Sequence, residues 1–368
     1  MKKTIVRNLF LAGSACVCVV IGLLLIGIAG GMVSKQDSQQ MAKRWSEEKD
    51  VSQVSCFFSS NANISTDSIE LFRHELDNAL VEASIVSQSP NANARLWADA
   101  YSADGKITLK SERGTLQADA IGIGGDFFRF HPVKLLYGSY ISEDDLNQDR
   151  CLIDEDAAWQ LFGSNNVAGM LVEIQGIPHV IAGVVEREDS RLAKAAGLDA
   201  TLVYVSHSTL EQYGTINGIN HYEIVMPDPV KGYASKYVQE HIKVDEKEVE
   251  FVENTTRYKL LQRFKLMLAF GTRSMNGKAI IYPYWENIAR GVEDIVAMLT
   301  LWALILFVYP VVLLVITLRR AWKCKNWTVG SVFHRIRDLW EDWLERSRAK
   351  RMRKKEYKDK FDEQEELL

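Results

Sequence analysis

LFLAGSACVCVVIGLLLIGIAGGMV at residues 9–33 and IVAMLTLWALILFVYPVVLLVITL at residues 295–318 are two long apolar runs without a single charge. Each exceeds the roughly 20 residues that cross a bilayer as a helix. Two spans place everything between them on one side of the membrane and both tails on the other. Lys2, Lys3 and Arg7 precede the first run; Arg319, Arg320, Lys323 and Lys325 follow the second. Basic residues beside a span stay cytoplasmic. The expected topology is therefore a two-pass protein of the cell (plasma) membrane with a cytoplasmic N-terminus (1–8), an extracytoplasmic core and a cytoplasmic tail (319–368). The first run outlasts the roughly 7–15 apolar residues of a signal peptide. No A-x-A-like site ends it, and Cys16 and Cys18 lack the lipoprotein leucine three residues before, where Gly13 and Ala15 stand. It reads as a retained anchor. Pro310 is expected to kink the second span, a break tolerated where neighbouring helices cover the freed carbonyl.

The segment between the runs, about 260 residues, has room for one large domain or two modest ones. A net charge of −4 argues against nucleic acid as a partner. The basic residues gather in the tail, facing anionic cytoplasmic lipid. Cys56 and Cys151 lie outside, where oxidation is permitted. They make one candidate disulfide; the alternative is two buried thiols packing as small apolar residues. No C-x-x-C or paired-histidine spacing points to a metal, and no cofactor is expected.

Periodicity outlines the outer segment. Residues 34–50 are polar and read as a stalk. Residues 51–58 read as a strand. Asp67, with Glu70 three residues on, has the form of a capping box, followed by Ile69, Phe72, Leu76, Leu80 and Ala83 at helical spacing. A strand is expected at 94–100, a hairpin turn at Asp104-Gly105, then strands at 107–110 and 116–122. A second β-α-β unit follows much later. It has a strand at 221–226, then a helix capped by Asp228 with Pro229 at its first position and an inner face of Val230, Tyr233, Tyr237, Val238, His241 and Ile242. Strand 248–252 ends it. The fold class expected is α+β: a split β-α-β domain (51–123 and 219–281) whose halves pair across an insertion (124–218). The insertion holds a short helix, 157–162, ended by Gly163. Strands 170–174 and 178–185 meet at a tight Gln175-Gly176 turn, and a further strand covers 201–205. Such closely spaced strands suggest a small barrel or curled sheet. A second stalk (282–294), with Tyr282, Tyr284 and Trp285 suited to the outer membrane interface, leads into the second span.

Enzyme signatures do not assemble. GTRSMNGK at 271–278 has one residue too many for a phosphate loop, and Ala279 replaces its magnesium-binding hydroxyl. His74-Glu75 does not continue into H-E-x-x-H, and no G-x-S-x-G occurs. Asn63 and Asn254 fit the glycosylation sequon, a common chance match. The reading is a non-enzyme.

The run GGDFFRFHPVKLLYGSYISEDDLNQDRCLIDEDAAWQLFGSNNVAGMLVEIQGIPHVIAGVVE, residues 124–186, resembles the periplasmic core domain of MacB-type ABC-transporter permeases. The resemblance rests on an ordered series. It runs through Asp126 with Phe127 and Phe128; Leu135 or Leu136 with Gly138 and the acidic pair Asp144 and Asp145; and Ala158, Leu161, Phe162 and Gly163. Gly169 before a strand and Val180, Ile181, Gly183, Val184 and Val185 complete it. It implies a split "porter" subdomain carrying a β-rich insertion, preceded by a membrane helix. Family permeases carry three helices after this domain, where one apolar run stands here, so the chain resembles a truncated or accessory member. The motif residues themselves read as packing and turn positions: burying each aromatic is worth roughly 1.5–3 kcal/mol, and the glycines suit backbone with φ > 0.

In the tail, Val332, Phe333, Ile336, Leu339, Trp340, Trp343 and Leu344 form an apolar stripe between charged faces, expected to be an interfacial helix or a docking helix for a cytoplasmic partner. The basic block 346–355 and acidic block 362–366 read as solvated. The implied function is a non-catalytic membrane subunit of an ABC-type transport or mechanotransmission system. It would work with a separate ABC ATPase and a full-length permease, as a homo- or hetero-oligomer. The alternative is a two-span ligand sensor signalling through a separate partner.

Overall fold

The computed structural model describes residues 2–46, 50–85, 94–198, 200–216, 218–269, 280–323, 337–341 and 343–345. In chain order its helices are α1 (Lys2–Ser34), α2 (Met41–Trp45), α3 (Thr66–Glu82), α4 (Phe127–Phe130), α5 (Glu155–Phe162), α6 (Arg191–Ala195), α7 (His207–Tyr213), α8 (Tyr233–His241), α9 (Leu260–Leu268) and α10 (Tyr284–Lys323). Its strands are β1 (Val51–Phe58), β2 (Ala98–Ser111), β3 (Gly114–Gly125), β4 (Leu135–Gly138), β5 (Arg150–Asp154), β6 (Leu171–Ile174), β7 (Ile177–Val185), β8 (Leu202–Ser206), β9 (Thr215–Ile216), β10 (His221–Pro227) and β11 (Val249–Glu253).

The chain divides into two compact units, Met1–Ile21 with Ile305–Leu368, and Gly22–Leu304. In the first, Ser14 and Tyr309 share a hydroxyl hydrogen bond of 2.8 Å. Leu9, Phe10, Val308 and Leu314 point outward, as lipid-facing side chains do. α1 and α10 are each long and apolar enough to cross a membrane, and α10 is continuous through Pro310.

The second unit is built on one mixed sheet in the order β11-β1-β10-β2-β3-β8-β5-β7-β4. At one end the four antiparallel strands β11, β1, β10 and β2 form a split β-α-β pair: β10 returns after a long excursion to lie between β1 and β2. α3 and α8 cover this end, burying Phe72, Leu76, Leu80, Tyr237 and Val238 on Val54, Cys56, Ile224 and Met226. At the other end the sheet closes on itself. β6 pairs with β7 and also with the far end of β2, so β2-β3-β8-β5-β7-β6 is a ring of six strands. Its core takes alternate residues of five of the six strands: Ile107 and Leu109, Ala118 and Ala120, Cys151 and Ile153, Val172 and Ile174, Val203 and Val205. That is the period-two pattern of a filled small barrel. The sheet has no break at residue 123, because β3 runs on to Gly125 and, with β2, serves both ends.

Several expectations are corrected. Asp104-Gly105 is not a turn but the middle of β2, paired with Ile121 and Ala120; the chain reverses after Ser111 instead. Gly105 is needed for a different reason: a Cβ there would stand 2.2 Å from the Thr215 carbonyl oxygen, where β9 crosses. The strand expected at 94–100 begins only at Ala98. α3 is capped by Ser65, whose hydroxyl accepts from the Ser68 N–H, two residues before the Asp67 box. Val230 lies exposed before α8, while Asp228 accepts from the Gly232 and Ala234 N–H groups. Neither stalk is free. Gln39, Met41 and Ala42 are buried, and residues 284–294 are the first turns of α10, packed into the unit. Tyr282 and Trp285 accordingly face protein rather than lipid.

Candidate functional site

The first three turns of α10 bury Trp285, Glu286, Ile288, Ala289, Val292 and Glu293. Glu286 and Glu293 are two turns apart and so share a helix face. Opposite them, in the turn after β11, stands Arg257. Its Nη1 and Nη2 donate to Glu286 at 2.7 and 2.8 Å, and its Nε donates to Glu293 at 2.7 Å. All three side chains are at most 7% exposed. Burial pulls the guanidinium pKa down, but the two carboxylates outweigh it and hold it well above its usual value. Arg290 extends the joint, donating to Glu286 at 2.6 Å and to Glu250 at 2.7 Å while lying over the Tyr282 ring. The Tyr282 hydroxyl donates to Glu250 in turn.

Asn254 carries this network into the sheet. Its Oδ1 accepts from Arg257 at 3.2 Å; its Nδ2 donates to Ser55 at 2.7 Å and to Glu223 at 3.0 Å. The amide of this sequon asparagine is thus buried and engaged. Glu223 Oε1 also accepts from Gln53 and Ser55, at 2.5 and 2.7 Å. Its Oε2 faces His131 Nε2 at 3.0 Å and His221 Nε2 at 3.6 Å. Trp285 of α10 packs on both imidazoles, with ring centroids 4.3 and 5.4 Å away. Burial, only partly opposed by Glu223, drives the His221 pKa down to about 3. For Glu223, burial pushes upward, yet the two imidazoles and the Ser55 hydroxyl bring it below the usual carboxylate value. This histidine pair and carboxylate are the cluster among the described residues whose donor atoms converge closely enough to hold a metal ion. His131 also lines a cleft of about 630 Å³ with Asp37, Glu186, Arg187, Tyr204 and Trp285.

Of the residues singled out from the sequence, Phe127 packs on His131 and Trp285, with ring centroids 4.8 and 5.6 Å away. Phe127 is buried in α4 and Phe128 stacks on Tyr140, next to Asp126 at the helix start. Gly138 of β4 pairs with Gly183 of β7. Ala158 is buried in α5 and Phe162 packs on the barrel core beside it; Gly163 ends α5 in a left-handed conformation, and Gly169 precedes β6. Asp145 sits 3.7 Å from Arg150 on the surface. Cys56 and Cys151 are both free thiols, which corrects the disulfide expectation. They belong to different cores, on strands with four others between them in the sheet; a disulfide needs its Cα atoms within about 6.8 Å. Of the tail stripe, Val332, Phe333 and Ile336 fall outside the described residues. Trp340 and Trp343 lie with ring centroids 5.8 Å apart and exposed, with Leu344 beside them.

The sequence reading missed the joint and the histidine cluster. One signal for the joint was present: Glu286, Arg290 and Glu293 recur at helical spacing just before an apolar span. His221 and Glu223, alternating in one strand, share a face, but nothing local ties them to His131.

Comparison with known proteins adds the following. Residues 11–233 match the family model described as the MacB-like periplasmic core domain. The macrolide export ATP-binding/permease protein MacB of Chromobacterium violaceum is 33% identical over 76 residues, 20% of this chain and 12% of that protein. Its namesake from Shewanella sp. (strain W3-18-1) is 30% identical over 108 residues, 28% of this chain and 16% of that protein. The matched stretch therefore spans well under two thirds of these relatives. Among solved structures, the periplasmic region of MacB from Actinobacillus actinomycetemcomitans aligns with TM-score 0.36 and 17% identity over 59% of this chain and 92% of that one. The extracellular domain of the noncanonic ABC-type transporter YknZ from Gram-positive bacteria aligns with TM-score 0.35 and 13% identity, over 54% and 99% of the two chains.

Proposed function

This chain belongs to the MacB-like periplasmic core domain family, and on that premise we propose that it is a non-catalytic membrane subunit of an ABC-type transport or mechanotransmission system. The carrying observation is the buried joint of Arg257 with Glu286 and Glu293. It fixes the sheet to the first turns of α10, and the same helix continues into the apolar run. A movement of the extracytoplasmic domain is then handed to the membrane helix rather than lost in a flexible linker. Both termini are cytoplasmic by the placement of Lys2, Lys3, Arg7, Arg319, Arg320 and Lys323. ATP hydrolysis resides in a separate ABC ATPase, and the chain works beside a full-length permease in a homo- or hetero-oligomer. The segment from 337 to 345, with Trp340 and Trp343 exposed, is the candidate contact with lipid or ATPase.

The cleft of about 630 Å³ favours a second reading, a ligand sensor with a separate output partner. Cross-linking in native membranes, followed by identification of co-purifying proteins, separates the two. Recovery of an ABC ATPase, with or without a permease, supports the subunit reading. Recovery of a signalling kinase, or of no membrane partner, overturns it in favour of the sensor.

A further inference from the structure

We propose that His131, His221 and Glu223 form a binding site for one divalent transition-metal ion, zinc in the first instance. Their donor atoms all lie within 4.8 Å of one another, and all three residues are buried. Buried polar groups almost always have a hydrogen-bond partner. Here His131 Nδ1 and Nε2, His221 Nε2 and Glu223 Oε2 have none. His131 Nε2 is 3.0 Å from Oε2 without the alignment of N–H to oxygen that a hydrogen bond requires, and His221 Nε2, at 3.6 Å, is too far for one. Ligands about 2.0–2.1 Å from a tetrahedral zinc stand roughly 3.3–3.4 Å apart, and the two measured separations bracket that value.

The surroundings fit the same ion. Two imidazoles and a carboxylate suit zinc and its neighbours rather than magnesium or calcium. Glu223 Oε1 is held by Gln53, Ser55 and Asn254, leaving Oε2 for the cluster. His221 Nδ1 lies 3.4 Å from the Ser102 hydroxyl, a partner able to accept from it and leave the Nε2 lone pair for an ion. A cation would balance the charge of a carboxylate that is otherwise sealed in the core. His131 also borders the cleft, so the cluster lies one side chain away from it. The ion would tie β10 to the segment after α4 directly beneath Trp285.

The test uses the full chain in detergent, stripped with chelator and titrated with Zn²⁺ against a chromophoric competitor, with Co²⁺ as a spectroscopic substitute. The expected result is about one ion per chain, a rise in melting temperature and the visible bands of four-coordinate Co²⁺. His221→Asn abolishes tight binding. Ser55→Ala, which keeps all three ligands and removes a hydrogen bond to Glu223 and one from Asn254, weakens it ~10–100-fold. His74→Ala, at an exposed histidine, changes nothing. Should His221→Asn fail to fold, Ser55→Ala and the Co²⁺ spectrum of the unaltered chain decide. Absence of stoichiometric Zn²⁺ or Co²⁺ binding by the unaltered chain, or equal affinity in Ser55→Ala, overturns the proposal. The readout does not depend on the transport reading.

Discussion

Arg257 grips Glu286 through two parallel hydrogen bonds of 2.7 and 2.8 Å, in a place that water does not reach. Removing one partner of such a pair costs more than forming the pair gains, since the other charge stays behind in the core. Arg257→Met takes the bidentate partner from Glu286 and one donor from Glu293, although Arg290 still reaches Glu286. We expect a loss of about 3–5 kcal/mol in denaturant unfolding. Replacing all three charged side chains with apolar ones should recover much of that loss. If Arg257→Met unfolds at the same denaturant concentration as the parent, the joint does not hold α10 to the sheet.

A second prediction concerns Gly105. A methyl group there meets the Thr215 carbonyl oxygen at 2.2 Å and Leu210 at 3.2 Å, so β9 or α7 must shift. Gly105→Ala should destabilise by roughly 1–3 kcal/mol, as overpacking does. Gly114→Ala, at the open end of the same hairpin with nothing within 4 Å, should stay within about 0.5 kcal/mol of the parent. Equal melting temperatures for the two variants would show that the β9 crossing is not tight in solution.

That glycine also shows where reading the sequence stops. Asp-Gly between strand-forming residues is a local turn signal, and it was outvoted by a contact with Thr215, distant in the chain. Features that depend on neighbours along the chain were legible: the membrane spans, the helix at 157–162 with its Gly163 stop, the Gln175-Gly176 turn, and the return of β10 and β11 as the second half of a split domain. The barrel was legible as short strands, but its closure by β6 on β2 was not. The same limit hid the site. Arg257 and Glu286 become partners only once β11 and α10 are packed, and His131 meets Glu223 only across the sheet. Residues 34–50 read as a stalk because they are polar, yet Met41 and Ala42 are buried in one cluster with Trp285 and Phe130.

Acid should weaken the unit through its buried imidazoles. His221 is neutral in the folded state down to about pH 3, whereas an unfolded histidine takes a proton near pH 6.5. Between those values the unfolded chain binds more protons, so stability falls as pH falls. His207, also lowered by burial, acts in the same direction. Glu223 acts only in stronger acid: its depressed folded pKa gives stability that is present above the unfolded carboxylate pKa and lost as pH falls through the folded one. Each histidine should cost up to about 1.4 kcal/mol per pH unit below 6.5. Melting temperatures between pH 7.5 and 5, taken in excess chelator to remove any metal effect, should drop for the parent and drop less for His221→Asn. A flat parent profile would mean that these imidazoles are not neutral and buried.

The thiols give a prediction about covalent chemistry. Burial raises the Cys151 pKa to about 12 and carries that of Cys56 well above its usual value, with the charge of Glu223 adding to the latter. A thiolate is the reactive form, so neither should react at neutral pH. Iodoacetamide applied to the native chain should leave both peptides unmodified in mass spectra. The same reagent in denaturant, without any reductant, should alkylate both, because no bond joins β1 to β5 across the intervening strands. A Cys56–Cys151 disulfide peptide would contradict the sheet order itself, since the two strands cannot come within bonding distance while β10, β2, β3 and β8 lie between them.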